Sequence, residues 1–208
     1  MITSPHLNNL FARYSALEVC GPDIQRAFDL LSATFLKDGK LLLCGNGGSA
    51  SDSEHWAGEM LKGFAHARPL PALMRQGLPP KMAARLQWAF SVIPLTGFPA
   101  LATAFGNDVE PEYVFAQLVL ALGRSGDVLA ALSTSGNSPN VCRAAEVARA
   151  RSMPVVALTG AAGGKLKTLA EVCICVPATL TPHVQEFHLP IYHCLSLMLE
   201  EAFALHWQ

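Results

Sequence analysis

His55 and Glu59 stand four residues apart, at the end of the stretch Lys40–Gly58, KLLLCGNGGSASDSEHWAG, and just beyond it. On a helix that spacing puts an imidazole and a carboxylate on one face, one turn apart. Such a pair can hold a divalent metal or work as acid and base. Upstream, Leu41–Cys44 is a short apolar run of the kind a strand covered on both faces shows, and Gly45-Asn46-Gly47-Gly48 ends it. Ser49 or Ser51 is expected to cap the following helix. Bare N–H groups at a helix start carry partial positive charge and suit an anion, phosphate above all. A cradle at Asn46, Gly47, Gly48 and Ser49 beside His55 and Glu59 points to chemistry on a phosphorylated small molecule.

A second cluster, Leu132–Ser138, reads LSTSGNS. A strand delivers Ser133, Thr134 and Ser135, then Gly136-Asn137-Ser138 leads into a new helix. Hydroxyls together with a helix start accept an anion without a fixed positive charge. Gly160–Lys165 is a third glycine-rich loop, with Lys165 either steering an anion or simply solvated. A nucleotide cofactor fits poorly: the first loop lacks the third glycine of the dinucleotide fingerprint, and the lysine-containing phosphate loop is missing. Gln185–His193, QEFHLPIYH, adds polar groups to an otherwise apolar helix.

These residues need a scaffold. Strands are predicted at Lys40–Cys44, Ser91–Thr96, Asp127–Ser133, Pro154–Thr159 and Val172–Val176. Helices are predicted at Leu7–Leu17, Asp23–Lys37, Ser49–Gly63, Pro80–Phe90, Pro99–Phe105, Glu110–Gly123, Ser138–Arg151, Gly163–Ala170 and Val184–Leu205. Strands alternating with helices imply an α/β fold: a three-layer α/β/α sandwich around a parallel sheet, flavodoxin- or Rossmann-like, with ligands at the carboxyl ends of the strands. One domain over residues 1–208 is the economical reading, with a proline- and arginine-rich segment at about 64–90.

Composition narrows the rest. Fifteen basic and 16 acidic residues leave a formal charge of −1, which offers no electrostatic footprint for nucleic acid and no polybasic membrane patch. No apolar run has the length of a membrane span, and the start, MITSPHLNNLFARYS, lacks a signal pattern; a cytoplasmic protein is expected. A charge content of only 15% against 51% hydrophobic residues favours a homo-oligomer that covers some apolar surface. The six scattered cysteines read as reduced core residues, and Cys173-Ile174-Cys175, on one side of a strand, lacks companions for a zinc site.

CGNGGSASDSEH, STSGNSPNV, ALTGAAGGKL and VQEFHLPIYH occur in the same order as in the sugar isomerase (SIS) superfamily. The chain most resembles the phosphoheptose isomerases, over nearly its whole length. That resemblance implies the SIS fold and aldose–ketose isomerisation of a phosphosugar through an enediol(ate), with sedoheptulose 7-phosphate converted to D-glycero-D-manno-heptose 7-phosphate. It also implies a homotetramer with active sites at subunit interfaces, in which helices over about 5–38 pack. By the same resemblance Ser49, Ser133, Thr134, Ser135 and Ser138 hold the phosphate. His55, Glu59, Gln185 and His193 match zinc-binding positions, one Zn2+ per subunit. Glu59 and His193 match the proposed acid–base pair, and Gln185 also faces substrate. His188 is a lower-ranked alternative donor to Gln185.

Gly97 follows Thr96 where these enzymes usually carry an aspartate, Pro182 replaces another, and the 64–90 segment is longer than usual. Two alternatives follow: an isomerase of another sugar phosphate, and a non-catalytic SIS protein that binds phosphosugar or associates with a protein such as a replication initiator. Retention of Glu59 favours an enzyme.

Overall fold

Uninterrupted apolar runs call for a sheet buried on both sides, and the computed structural model, which describes residues 4–204, has one. Five strands, β1 (Leu41–Cys44), β2 (Val92–Pro94), β3 (Val128–Leu132), β4 (Val155–Thr159) and β5 (Val172–Cys175), pair in parallel in the order β2-β1-β3-β4-β5. Every position of β1, β3 and β4 is buried. Ten α-helices are described: α1 (Pro5–Arg13), α2 (Gly21–Phe35), α3 (Gly48–Met60), α4 (Ala72–Gln76), α5 (Pro80–Ala83), α6 (Pro99–Asp108), α7 (Val114–Leu122), α8 (Pro139–Ala150), α9 (Leu166–Leu169) and α10 (Thr181–Phe203).

The alternation of side chains along each strand divides the core in two. Leu41, Leu43, Val128 and Ala130 pack with Leu10, Ile24, Leu31, Trp56, Ile191 and Leu195 from α1, α2, α3 and α10. Leu42, Cys44, Leu129 and Ala131 pack with Val114, Leu118, Val141 and Ala145 from α7 and α8 on the other face. The predicted three-layer α/β/α sandwich is therefore the observed fold. From β1 the chain goes out to the edge strand β2, then crosses back to β3 on the far side of β1. Loops leaving β1 and β3 diverge there, and a reversal of this kind opens a crevice at the carboxyl ends of the strands. Both hydroxyl- and glycine-rich loops sit at that crevice.

The element boundaries shift for local reasons. β2 is shorter than Ser91–Thr96 because Pro94 has no amide to donate, and a 3-10 turn, Leu95–Gly97, follows; proline is tolerated here because β2 is an edge strand. α1 stops at Arg13 and a 3-10 turn over Ser15–Cys20 replaces its predicted end. α9 shrinks to four residues because Gly163 and Gly164 both have positive φ. α10 begins at Thr181 and continues across Pro190, and its predicted end at Leu205 lies outside the described residues. Segment 64–90 forms only the short helices α4 and α5, and Leu73, Met74, Met82 and Leu86 on it are exposed. No described helix is long and apolar enough to cross a membrane. All six cysteines are free thiols. Burial pushes Cys194 up to about 12, and Cys173 to about 12 with Cys175 adding to it.

Candidate active site

Helices α3 and α10 lie side by side and run in the same direction, so residues advance along them together. At one end the Gln185 carboxamide covers Gly48, where an added Cβ would stand 2.5 Å from Gln185 Nε2. Two turns further on, Tyr192 Oη is 2.9 Å from His55 Nδ1, and the rings of His55 and His193 have centroids 5.0 Å apart. The paired helices thus carry a loop end and a His–Glu end, the two ends of the candidate groove, separated along α3 by about 10 Å from Gly48 to His55.

At the second end, His55 Nε2 lies 3.2 Å from Glu59 Oε1, as the four-residue spacing requires. His193 closes the group: one donor atom from each of His55, Glu59 and His193 lies within 4.8 Å of the other two. The second Glu59 oxygen accepts from Lys62 Nζ at 3.3 Å. His193 Nε2 is buried without a hydrogen-bond partner. Burial lowers the His193 pKa, with the neighbouring His55 acting in the same direction against Glu59, so the ring is neutral at physiological pH. Ligands of a tetrahedral zinc at ~2.0–2.1 Å stand about 3.3 Å apart. The His55–Glu59 pair is already at that spacing, and two imidazoles with one carboxylate are a zinc donor set. The orphaned nitrogen of His193 fits the same role.

At the loop end, Gly47 rather than a serine takes the cap position of α3, with φ +55°. Neither Ser49 nor Ser51 caps the helix: Ser49 is its second residue, 3% exposed, with its amide bonded to Asn46 O. The reason is steric, since only glycine enters that left-handed turn freely. None of the hydrogen bonds in the turn uses the amides of Gly47 or Gly48, and both residues are exposed. Across the crevice Ser133 Oγ and Ser138 Oγ are 2.9 Å apart, and Ser138 stands at the cap position of α8 without bonding a helix amide. Its hydroxyl pairs with that of Ser133 instead. Thr134 is half-buried, and Ser135 is exposed with its Oγ accepting from the Asn137 amide at 3.1 Å.

Asn46, predicted to touch the ligand, bridges the two loops. Its side-chain amide exchanges two hydrogen bonds with that of Asn140, at 2.8 and 2.9 Å. The third loop braces the second: Lys165 N donates to Asn137 Oδ1, Leu166 N donates to Gly136 O, and Lys165 Nζ pairs with Glu146. His188 points away from the groove into the core, fully buried, and burial takes its pKa down to about 4. Gln185 sits over Gly48, eight residues and so about 12 Å of helix from His193.

Sequence reasoning missed Asn140, Tyr192 and the buried pair Arg68–Glu200; Asp52, expected only to face away from the phosphate, is the partner of Tyr192. Tyr192 Oη donates to Asp52 Oδ1 at 3.2 Å, and its ring stacks on Trp56 at 5.8 Å. Burial and the adjacent Asp52 push the Tyr192 hydroxyl upward, so it keeps its proton. Arg68 donates to the carbonyls of Met60 and Glu59 at the end of α3. A tyrosine before a histidine and a lone Glu near a helix end carry no recognisable spacing, because their partners are distant in sequence.

The loop geometry separates two glycine substitutions. In Gly48→Ala the nearest atoms to the new Cβ belong to the movable end of Gln185, so stability is expected to stay within about 1 kcal/mol. Gly136→Ala combines φ +67° with a Cβ 2.0 Å from the carbonyl oxygen of Gly163. It is expected to cost at least about 2 kcal/mol in urea unfolding.

Comparison with known proteins agrees with this architecture. The SIS domain family model matches residues 91–160. The phosphoheptose isomerase of Thiobacillus denitrificans is 42% identical over 187 residues, covering 88% of this chain and 85% of its own. The solved phosphoheptose isomerase of Neisseria gonorrhoeae superposes with a TM-score of 0.76 at 34% identity, over 94% of this chain and 95% of that one. The corresponding structure from Francisella tularensis gives 0.77 at 30% identity, over 97% and 100%. By identity and coverage together, the chain belongs to the phosphoheptose isomerase family.

Proposed function

We propose that the protein isomerises sedoheptulose 7-phosphate to D-glycero-D-manno-heptose 7-phosphate, early in heptose synthesis. The observation that carries this reading is the groove itself, with an anion-accepting end and a carboxylate–imidazole end about 10 Å apart along one helix. An extended heptose phosphate has about that span between its phosphorus and its carbonyl carbon. Exposed amides at Gly47 and Gly48 and the hydroxyls of Ser133, Thr134, Ser135 and Ser138 hold the phosphate, with Ser49 behind them. Gln185 orients the sugar from its place over Gly48. The phosphate makes and breaks no bond; gripping it places the reacting carbons.

Glu59 removes a proton from C1 of the ketose, and the C1–H electrons form the C1–C2 double bond of an enediol. Glu59 returns a proton to C2, while neutral His193 moves the hydroxyl proton from the C1 oxygen to the C2 oxygen. His55, Glu59 and His193 would hold a divalent metal, zinc by their chemistry, which would polarise the carbonyl and steady the developing oxyanion; Glu59 takes the proton only while its carboxylate is not tightly bound to that metal. Gln185 completes that set only by swinging away from Gly48. The active assembly is a cytoplasmic homotetramer in which a neighbouring subunit closes the groove.

Turnover of sedoheptulose 7-phosphate, fructose 6-phosphate and unphosphorylated sedoheptulose tests the reading. The heptulose phosphate is expected to be the best substrate, and loss of the phosphate should lower kcat/KM at least about 10²-fold. Binding of the heptulose phosphate without aldose formation would favour a non-catalytic phosphosugar-binding protein. A different sugar phosphate as best substrate is the second reading. It is favoured by Gly97, which ends the 3-10 turn after β2, where an added Cβ would meet nothing within 4 Å.

A further inference from the structure

Tyr192 and Asp52 stand at the Nδ1 edge of His55, opposite the Nε2 that faces Glu59, and the isomerisation steps do not use them. Tyr192 Oη is in hydrogen-bond range of two groups at once, Asp52 Oδ1 at 3.2 Å and His55 Nδ1 at 2.9 Å. A phenol has one proton to give and lone pairs to accept with. An ionised aspartate only accepts, and the other oxygen of Asp52 is buried without a partner. Were the phenol proton spent on His55, both oxygens of Asp52 would be left without a donor, at a desolvation cost of about 1–3 kcal/mol or more. The single proton therefore belongs between Tyr192 and Asp52, and His55 must donate its own Nδ1–H to the phenol oxygen.

We infer that Asp52 and Tyr192 form a relay that fixes His55 as the Nδ1–H tautomer and aims the bare lone pair of Nε2 into the groove. That lone pair faces Glu59 Oε1 at 3.2 Å. Two acceptors at that distance repel unless a cation lies between them, so the relay builds a cation site before any cation arrives. Tyr192 is held for the purpose: it is fully buried, and its ring stacks on Trp56 with an interplanar angle of 17°. Hydrogen bonds behind a metal-binding histidine set its tautomer and raise its basicity, and losing them typically costs 10–100-fold in metal affinity. Tyr192 and Asp52 are positioning residues, acting through His55. The inference rests on the proposed metal site for its consequence, but the tautomer is a property of the metal-free protein.

Two measurements test the relay. Long-range proton–nitrogen-15 spectra of metal-free protein, at mildly alkaline pH, are expected to show His55 with a protonated Nδ1 and an unprotonated Nε2. In Tyr192→Phe, which keeps the stacked ring, that preference should be lost. Zinc affinity, measured by competition with a chromophoric chelator, should fall about 10–100-fold in Tyr192→Phe and by a smaller factor in Asp52→Asn, which keeps an acceptor oxygen. Circular dichroism of both variants confirms that the comparison is between folded proteins. An Nε2–H tautomer in the wild type overturns the relay, as does zinc affinity in Tyr192→Phe within twofold of wild type. Wild-type protein that binds no zinc overturns the metal reading and the consequence drawn for affinity, while the tautomer still decides the relay.

Discussion

Glu59→Gln is expected to bind sedoheptulose 7-phosphate and to lose about 10³-fold in kcat, the middle of the range for removing a general base. Glutamine matches glutamate in size and can offer an amide N–H to His55 Nε2, so the groove should hold its shape. It cannot take a proton from carbon. The carboxylate is well placed to do so, because its side chain is 15% exposed, one oxygen faces His55 and the other accepts from Lys62. Calorimetric binding of the substrate, read beside single-turnover rates and zinc content, separates lost chemistry from lost metal. Activity within tenfold of wild type at full zinc occupancy would remove Glu59 from the role of base.

The second large effect is on stability. Glu200, on α10, is 1% exposed and accepts from Phe64, Ala65 and His66 amides at 2.9, 2.8 and 3.0 Å and from Arg68 Nε at 2.7 Å. Arg68 in turn donates to Met60 O at 2.8 Å and Glu59 O at 3.3 Å, the carbonyls that end α3. A buried cation at a helix C-terminus satisfies carbonyls that otherwise lack donors. This knot fixes the end of the helix that carries Glu59 to the helix that carries His193. Glu200→Ala removes the carboxylate that faces the buried Arg68 guanidinium and the acceptor of three amides, and is expected to cost about 3–5 kcal/mol. In a chain of this size that lowers the melting temperature by roughly 10 °C. The pair also gives a pH signature. Burial alone would raise the Glu200 pKa, but hydrogen bonds from Phe64, Ala65 and Arg68 outweigh it and bring it below its ordinary 4.5. A depressed carboxyl stabilises the fold fully above its unfolded value. That stability is lost as pH falls from about 4.5 through the lower native value. Urea midpoints in acid should therefore fall more steeply for wild type than for Glu200→Gln.

The strands and loops proposed to hold the phosphate are legible in the sequence because each is local. Leu41–Cys44 and Asp127–Ser133 are apolar runs ending in glycine and hydroxyl clusters, and a parallel sheet brings such ends together at its reversal point. His55 and Glu59 are legible for the same reason, being one helical turn apart. What escapes the sequence is what depends on how helices pair. The parallel alignment of α3 with α10 decides that His193 reaches His55 while Gln185 stays over Gly48, and it brings Tyr192 against Asp52 from 140 residues away. Asn46 reads as a ligand contact from sequence because its partner Asn140 sits in the other loop, 94 residues on. A serine cap is the natural reading of the first loop, but a glycine at positive φ begins the helix before it.

Proton nuclear magnetic resonance of sedoheptulose 7-phosphate turned over in deuterated water tests the central claim most directly. A carboxylate that shuttles a proton through an enediol should leave deuterium at C2 of the aldose and, on reversal, at C1 of recovered ketose, with neither label appearing in Glu59→Gln. Aldose formed with its hydrogen carried from C1 to C2 and no solvent deuterium at either carbon would contradict a carboxylate that exchanges its proton with solvent during the shuttle.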